Sequence, residues 1–180
     1  MTTDSKTTKR SKHHFVCGGA GGGEFTRWFL STPLGQLYEW QVHEFEPANG
    51  TPALWTYDGE IEFYVSSNPE SSTLIAEKKT GAPFKPKRIP CIDFSQWLRN
   101  LYKYGDFIIV ALNVEGAEYP ILDKIIADGT HLYISRLYIE FHNTKVGVSP
   151  ERDKELVRTL EATGIPVEPR CLLCPNSANF

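Results

Sequence analysis

His13-His14-Phe15-Val16-Cys17-Gly18-Gly19-Ala20-Gly21-Gly22-Gly23 decides the fold, together with Phe107-Ile108-Ile109-Val110-Ala111-Leu112 in the second half of the chain. The first stretch is a short, partly apolar run that ends in glycines, as a buried strand does where it turns into a helix. The second is wholly apolar, as expected of a central strand covered on both faces. Helical patterns lie around them. Glu24 to Leu30 carries Phe25, Trp28 and Phe29 at helical spacing, and Pro33 and Gly35 are expected to stop that helix. Asp93 to Gln96 has capping-box spacing ahead of a face formed by Phe94, Trp97, Leu98 and Leu101, with Gly105 as the expected C-cap. A helix over about 117–127 tolerates Pro120 in its first turn and closes at Gly129. A last helix opens at Ser149-Pro150 and ends near Gly164. Further strands are expected at 38–45, 137–141 and from Ile165. Asp58-Gly59, flanked by 53–56 and 60–66, reads as a hairpin, and 67–88 as a mobile loop. Strands separated by helices imply an α/β fold with a mostly parallel sheet.

The chain has 180 residues, enough for one compact domain, here expected over 13–170 between disordered tails at 1–12 and 171–180. It carries 19 Lys and Arg against 22 Asp and Glu, a formal net charge of −3, which argues against nucleic acid as a partner held by phosphate neutralisation. No apolar run reaches bilayer length, and the polar, basic start has no hydrophobic signal core, so neither a membrane partner nor secretion is expected. Four cysteines are too few for a disulfide scaffold and point to a reducing, cytoplasmic compartment. The oligomeric state has no signature in the sequence.

The glycine turn from Cys17 to Gly23 lets backbone bend tightly and a ligand approach without a Cβ in the way. The helix after it points its positive end and unpaired amides at the same space, which favours a carboxylate or another anion. Gly19, Gly21 and Gly23 give G-x-G-x-G spacing, and Glu46, at the end of the next strand, follows Gly23 by 23 residues. An acid at about that distance accepts ribose hydroxyls in α/β nucleotide sites. A bare glycine run can also be a flexible linker; the flanking strand, helix and acid favour the nucleotide-like reading.

At the far end of the apolar strand stand Asn113-Val114-Glu115-Gly116-Ala117-Glu118, at the carboxyl edge where open α/β sheets bind ligands. Glu115 and Glu118 would share a face if both were helical, or could serve only to stabilise the first helical turn. Glu140 and His142 would point to one side of a continuing strand. They read as metal ligands, as an acid and base, or as a hydrogen-bonded structural pair.

Taken in order, the glycine turn, Phe45-Glu46-Pro47, the segment 55–65, Ile92-Asp93-Phe94, 113–119 and Ile139-Glu140-Phe141-His142 resemble the FkbM-like family of S-adenosylmethionine-dependent methyltransferases. The likeness runs from about Phe15 to Pro169 and is most specific at 114–119 and 140–142. It implies a Rossmann-like methyltransferase sheet. The turn through Cys17, Gly19, Ala20, Gly21 and Gly23 would cradle the methionine part of S-adenosylmethionine, with Glu46 on the ribose. Asn113, Glu115 and Glu118 would face the methyl group and a small-molecule or saccharide hydroxyl.

Three departures stand out. Cys17 occupies the place of an acid that would pair with the cofactor's amine, and a lost charge-assisted hydrogen bond costs about 1.5–3 kcal/mol. Ala111 and Asn113 stand where the family carries Lys and Asp, so a base must be Glu115, Glu118 or His142. The segment from Pro47 to Ala53 is too short for the helix the family places there, so one flanking helix is expected to be missing. Methyl transfer to oxygen is therefore the first reading, and a degenerate, non-catalytic binding module the alternative. Cys171 and Cys174 have half-zinc-site spacing without a partner pair. Lys78, Lys79, Lys85, Lys87 and Arg88 read as a solvated basic face, and Trp28, Trp40 and Trp97 as core.

Overall fold

The computed structural model describes residues 11–68, 71–78, 80 and 83–170. Residues 1–10 and 171–180 of the expected tails, with Cys171 and Cys174, lie outside the described residues, as does Lys79. Lys12 is tied down: its amide donates to Asp106 Oδ1 and its carbonyl accepts from the Phe107 amide.

Five parallel strands make the main sheet: β1 (His13–Gly18), β2 (Trp40–Phe45), β6 (Phe107–Leu112), β7 (Arg136–Ile139) and β8 (Val167–Pro169), in the order β2-β1-β6-β7-β8. The apolar run is its middle strand, and Ile108 to Leu112 are completely buried. Strand alternation divides the core between the two faces. Phe15, Cys17, Ile109, Ala111 and Tyr138 pack with Phe25 and Phe29 of α1 (Glu24–Ser31). On the other face Val16, Ile108, Val110, Leu112, Leu137 and Ile139 meet α3 (Phe94–Leu101), α4 (Glu118–Ala127) and α6 (Pro150–Glu161). Helices on both faces of a parallel sheet make this an α/β, Rossmann-like fold. Between β2 and β3 (Ala53–Trp55) there is only a 3₁₀ turn at Pro47–Asn49, so the expected missing helix is indeed absent there. Trp28, Trp40 and Trp97 lie partly buried at the margins of the two cores.

Four local expectations are corrected. Asp58-Gly59 does not close a hairpin. β5 (Phe84–Asp93) runs between β3 and β4 (Gly59–Ser66), parallel to the first and antiparallel to the second. Two strand spacings are about 9.6 Å, within the reach of the four steps from Trp55 to Gly59. The connection therefore passes over the end of β5, and Asp58 Oδ1 accepts the Asp93 amide there. The supposed loop 67–88 accordingly ends in strand from Phe84. Pro86 and Pro90 disguise that strand, yet β5 pairs β3 only at Cys91 to Asp93, so their missing N–H groups break no bond on that side. Asp93 does cap α3, accepting the Gln96 amide, but Gly105 is not its C-cap: the helix ends at Leu101, and Gly105 turns the chain into β6 with φ +89°.

Pro33 and Gly35 do not merely end a helix; they form a second one, α2 (Pro33–Leu37), capped by Thr32, whose hydroxyl accepts the Gly35 amide. Gly35 is required by contact. A Cβ there would lie 2.1 Å from the Phe29 carbonyl oxygen and 2.7 Å from Leu30 Cα. Helix propensity alone would make Gly35→Ala stabilising by about 1 kcal/mol, whereas forcing a methyl against backbone costs about 1–3 kcal/mol. We expect Gly35→Ala to lower the midpoint of urea unfolding. A raised midpoint would show that α2 packs less closely on α1.

Candidate functional site

The carboxyl edge of the main sheet brings together two groups of the residues singled out in the sequence. At the first, β1 runs into the glycine turn with Gly19, Gly21 and Gly23 all at positive φ (69°, 55° and 80°). Gly19 is fixed by the neighbouring strand end: an added Cβ would sit 1.7 Å from the Asn113 carbonyl oxygen. The Asn113 amide in turn donates to the Gly18 carbonyl, extending the β1–β6 ladder one step. Glu46 lies across the turn, accepting the Gly21 amide on Oε2 (2.9 Å) and the Ala48 amide on Oε1 (3.1 Å). Asn49 Nδ2 donates to the Gly21 carbonyl.

The turn's amides are not left bare, as the sequence suggested. Those of Gly19 and Ala20 donate to the Phe45 carbonyl, and that of Gly23 to Ala20. Glu24 folds its carboxylate back onto the backbone amides of Glu24 itself and Gly22, which lowers its pKa. The positive end of α1 thus already faces an acid of its own chain. What the turn offers a ligand is open space at Gly21, where a Cβ would meet only Glu24 Oε2 at 3.7 Å, and the remaining lone pairs of Glu46.

Cys17 is fully buried on the α1 side of β1, and burial pushes its thiol pKa up, with the positive charge of Arg170 pulling the other way. Arg170, directly after β8, is the residue the sequence did not flag. Its Nη2 donates to the Gly19 carbonyl (3.2 Å), and its guanidinium carbon lies 4.6 Å from the centre of the Phe25 ring.

The second group is a charged cluster. Glu118, completely buried at the start of α4, accepts the Gly116 amide on Oε2. Its Oε1 takes the His142 amide (2.7 Å) and lies 3.0 Å from His142 Nδ1. His142 Nε2 stands 3.1 Å from Glu115 Oε1 and 3.8 Å from Glu140 Oε1. Glu115 is not helical: it sits at φ +53°, a conformation costing about 1–3 kcal/mol for a residue with a side chain. The pair Glu115 and Glu118 therefore shares an imidazole rather than a helix face.

Glu115 is also ion-paired with Lys78, whose side chain is completely buried, and with Lys145 Nζ at 3.2 Å from each oxygen. Thr73 Oγ1 donates to the Glu115 carbonyl. Lys78 thus leaves the solvated basic face expected of it, and neither its sequence neighbours nor those of Lys145 signal the contact. Burial alone would raise the Glu115 pKa, but the close cations of His142 and Lys78 hold it down at about 2. Burial would lower that of His142, but the close carboxylates of Glu115 and Glu118 hold it up at about 9. At neutral pH the cluster is an imidazolium between carboxylates, so His142 holds a proton rather than accepting one.

These shifts set the pH response. Glu115 contributes stability that is whole above its ordinary value near 4.5 and is lost as pH falls toward 2. His142 contributes stability that is whole below 6.5 and is lost as pH rises through about 9. Thermal melts from pH 6 to 10 should show a falling midpoint, with a shallower fall in His142→Gln. Equal slopes in the two proteins would mean that His142 is neutral in the fold.

No protein-family model, curated protein or solved structure matches this chain.

Proposed function

We propose that the chain binds S-adenosylmethionine at the glycine turn and transfers its methyl group to a hydroxyl of a small-molecule or saccharide acceptor. The observation that supports this best is Glu46 lying across three left-handed glycines at the carboxyl edge of a parallel sheet. A ligand reaching that turn meets backbone where the sequence allows no side chain, and a carboxylate with lone pairs left for ribose hydroxyls. Gly19, Ala20, Gly21 and Gly23 would cradle the amino-acid part, and Glu46 the sugar. When bound, the cofactor would supply an electrophilic methyl group on its sulfonium, with S-adenosylhomocysteine as the leaving group.

The protein's share of such a reaction is chiefly positioning. Asn113 and Glu115 stand at the end of β6, beside the turn. Glu115 and Glu118 have their oxygens taken by cations, imidazole and backbone, and His142 is protonated, so none of the three is a good proton acceptor. Glu140, about one-third exposed, is the strand-end carboxylate best placed to take the acceptor's proton. The same closed cluster favours a second reading, a domain that binds the nucleoside without turnover.

Calorimetric titration with S-adenosylhomocysteine separates these readings from a protein with no such site. We expect binding, a matching thermal shift, and at least tenfold weaker affinity in Glu46→Ala. Binding without methyl transfer to any hydroxyl acceptor tried would support the second reading. No binding at millimolar ligand would reject both.

A further inference from the structure

Arg170 is a buried cation. Its residue is 7% exposed, and among the described residues no carboxylate forms an ion pair with it. One arm of the guanidinium donates to the Gly19 carbonyl and its face lies over Phe25; Nη1 is buried and has no hydrogen-bond partner among the described residues. A charge taken out of water and left unpaired is costly, and a carbonyl with a ring face returns only part of that cost. A second orphan lies by the same glycine. Asn113, whose carbonyl oxygen occupies the place of a Gly19 Cβ, buries Oδ1 without a donor among the described residues. One residue in contact with Gly19 thus lacks an anion, and another lacks a hydrogen-bond donor.

We propose that these two residues hold the zwitterionic end of an α-amino acid, Arg170 taking the carboxylate and Asn113 Oδ1 the ammonium. The assignment rests on the nucleoside reading above and names the two side chains that would meet the charges of the amino-acid end. It also accounts for two departures from the expected pattern. With the positive end of α1 facing Glu24, the ligand carboxylate has Arg170 as its counter-charge. With Cys17 buried and neutral, Asn113 supplies the acceptor that an acid would have supplied. Arg170 makes no contact with the reacting centre; it is a positioning residue, and it lies far from the turn in sequence.

Two ligands that differ only in this end give the test. S-adenosylhomocysteine carries the amino acid; 5′-methylthioadenosine carries the same nucleoside and thioether without it. The wild-type protein should prefer the first by about ten- to hundredfold, the range of a charge-assisted pair. Arg170→Ala should erase most of that preference while leaving methylthioadenosine affinity unchanged, which also shows that the variant is folded. Arg170→Lys should keep an intermediate preference, and Asn113→Leu should reduce it. Equal wild-type affinity for the two nucleosides, or Arg170→Ala weakening both alike, would overturn the proposal and leave the nucleoside reading standing. If neither nucleoside binds but millimolar L-methionine does, and Arg170→Ala abolishes that binding, the nucleoside reading falls and the amino-acid site remains. Failure of all three ligands to bind overturns both.

Discussion

The arrangement of this molecule depends on one close approach of backbone to backbone. Where β1 and β6 end side by side, the Asn113 carbonyl oxygen takes the volume in which a side chain on Gly19 would begin. That contact requires glycine, and with it a left-handed turn, so β1 cannot continue as strand. The chain is then turned toward Phe45, whose carbonyl collects the Gly19 and Ala20 amides, and toward Glu46, which fastens Gly21. The turn is thereby a small rigid structure bonded to β2 on one side and abutting β6 on the other. A flexible linker would have none of these bonds.

The neighbouring charged cluster is held together by different physics. Glu118 and His142 are nearly dry, and removing either would leave the other buried with part of its charge unmatched. Glu115 joins them at the expense of a strained backbone angle, and that conformation is sustained because Lys78, Lys145 and Thr73 all close on it. The segment around Thr73 to Lys78 is bound in this way to the end of β6. A region that composition alone assigns to solvent becomes a wall of the strand-end site. Within the proposed chemistry, this wall orients groups; it is poorly suited to moving protons.

Much of the frame was legible because it rests on local regularities. The apolar run 107–112, the partly apolar run that ends in the glycine turn, and the helical spacing of Phe25 and Phe29 or of Phe94 and Leu98 each express burial on one face or two. The Asp93 cap was readable because its partner is three residues away. The partnership of Glu46 with the glycine turn followed from a spacing that α/β units repeat. Where reading failed, the deciding partner was remote. Asp58-Gly59 looks like a hairpin until β5 inserts itself, and Pro86 and Pro90 look like loop until the side they leave unpaired is seen to be open.

By itself, then, the sequence determined the alternation of strands and helices, the glycine turn with its acid, and the acidic strand end. These follow from period, steric need and short-range hydrogen bonding, which a chain carries wherever it goes. Only the tertiary structure decided that Lys78 pairs with Glu115, that His142 keeps its proton, and that Arg170 reaches Gly19. Those outcomes depend on which charges share a space sheltered from water, and such sharing joins residues up to 151 positions apart. Burial makes a charge costly and its partner necessary, and no local pattern records which partner that will be.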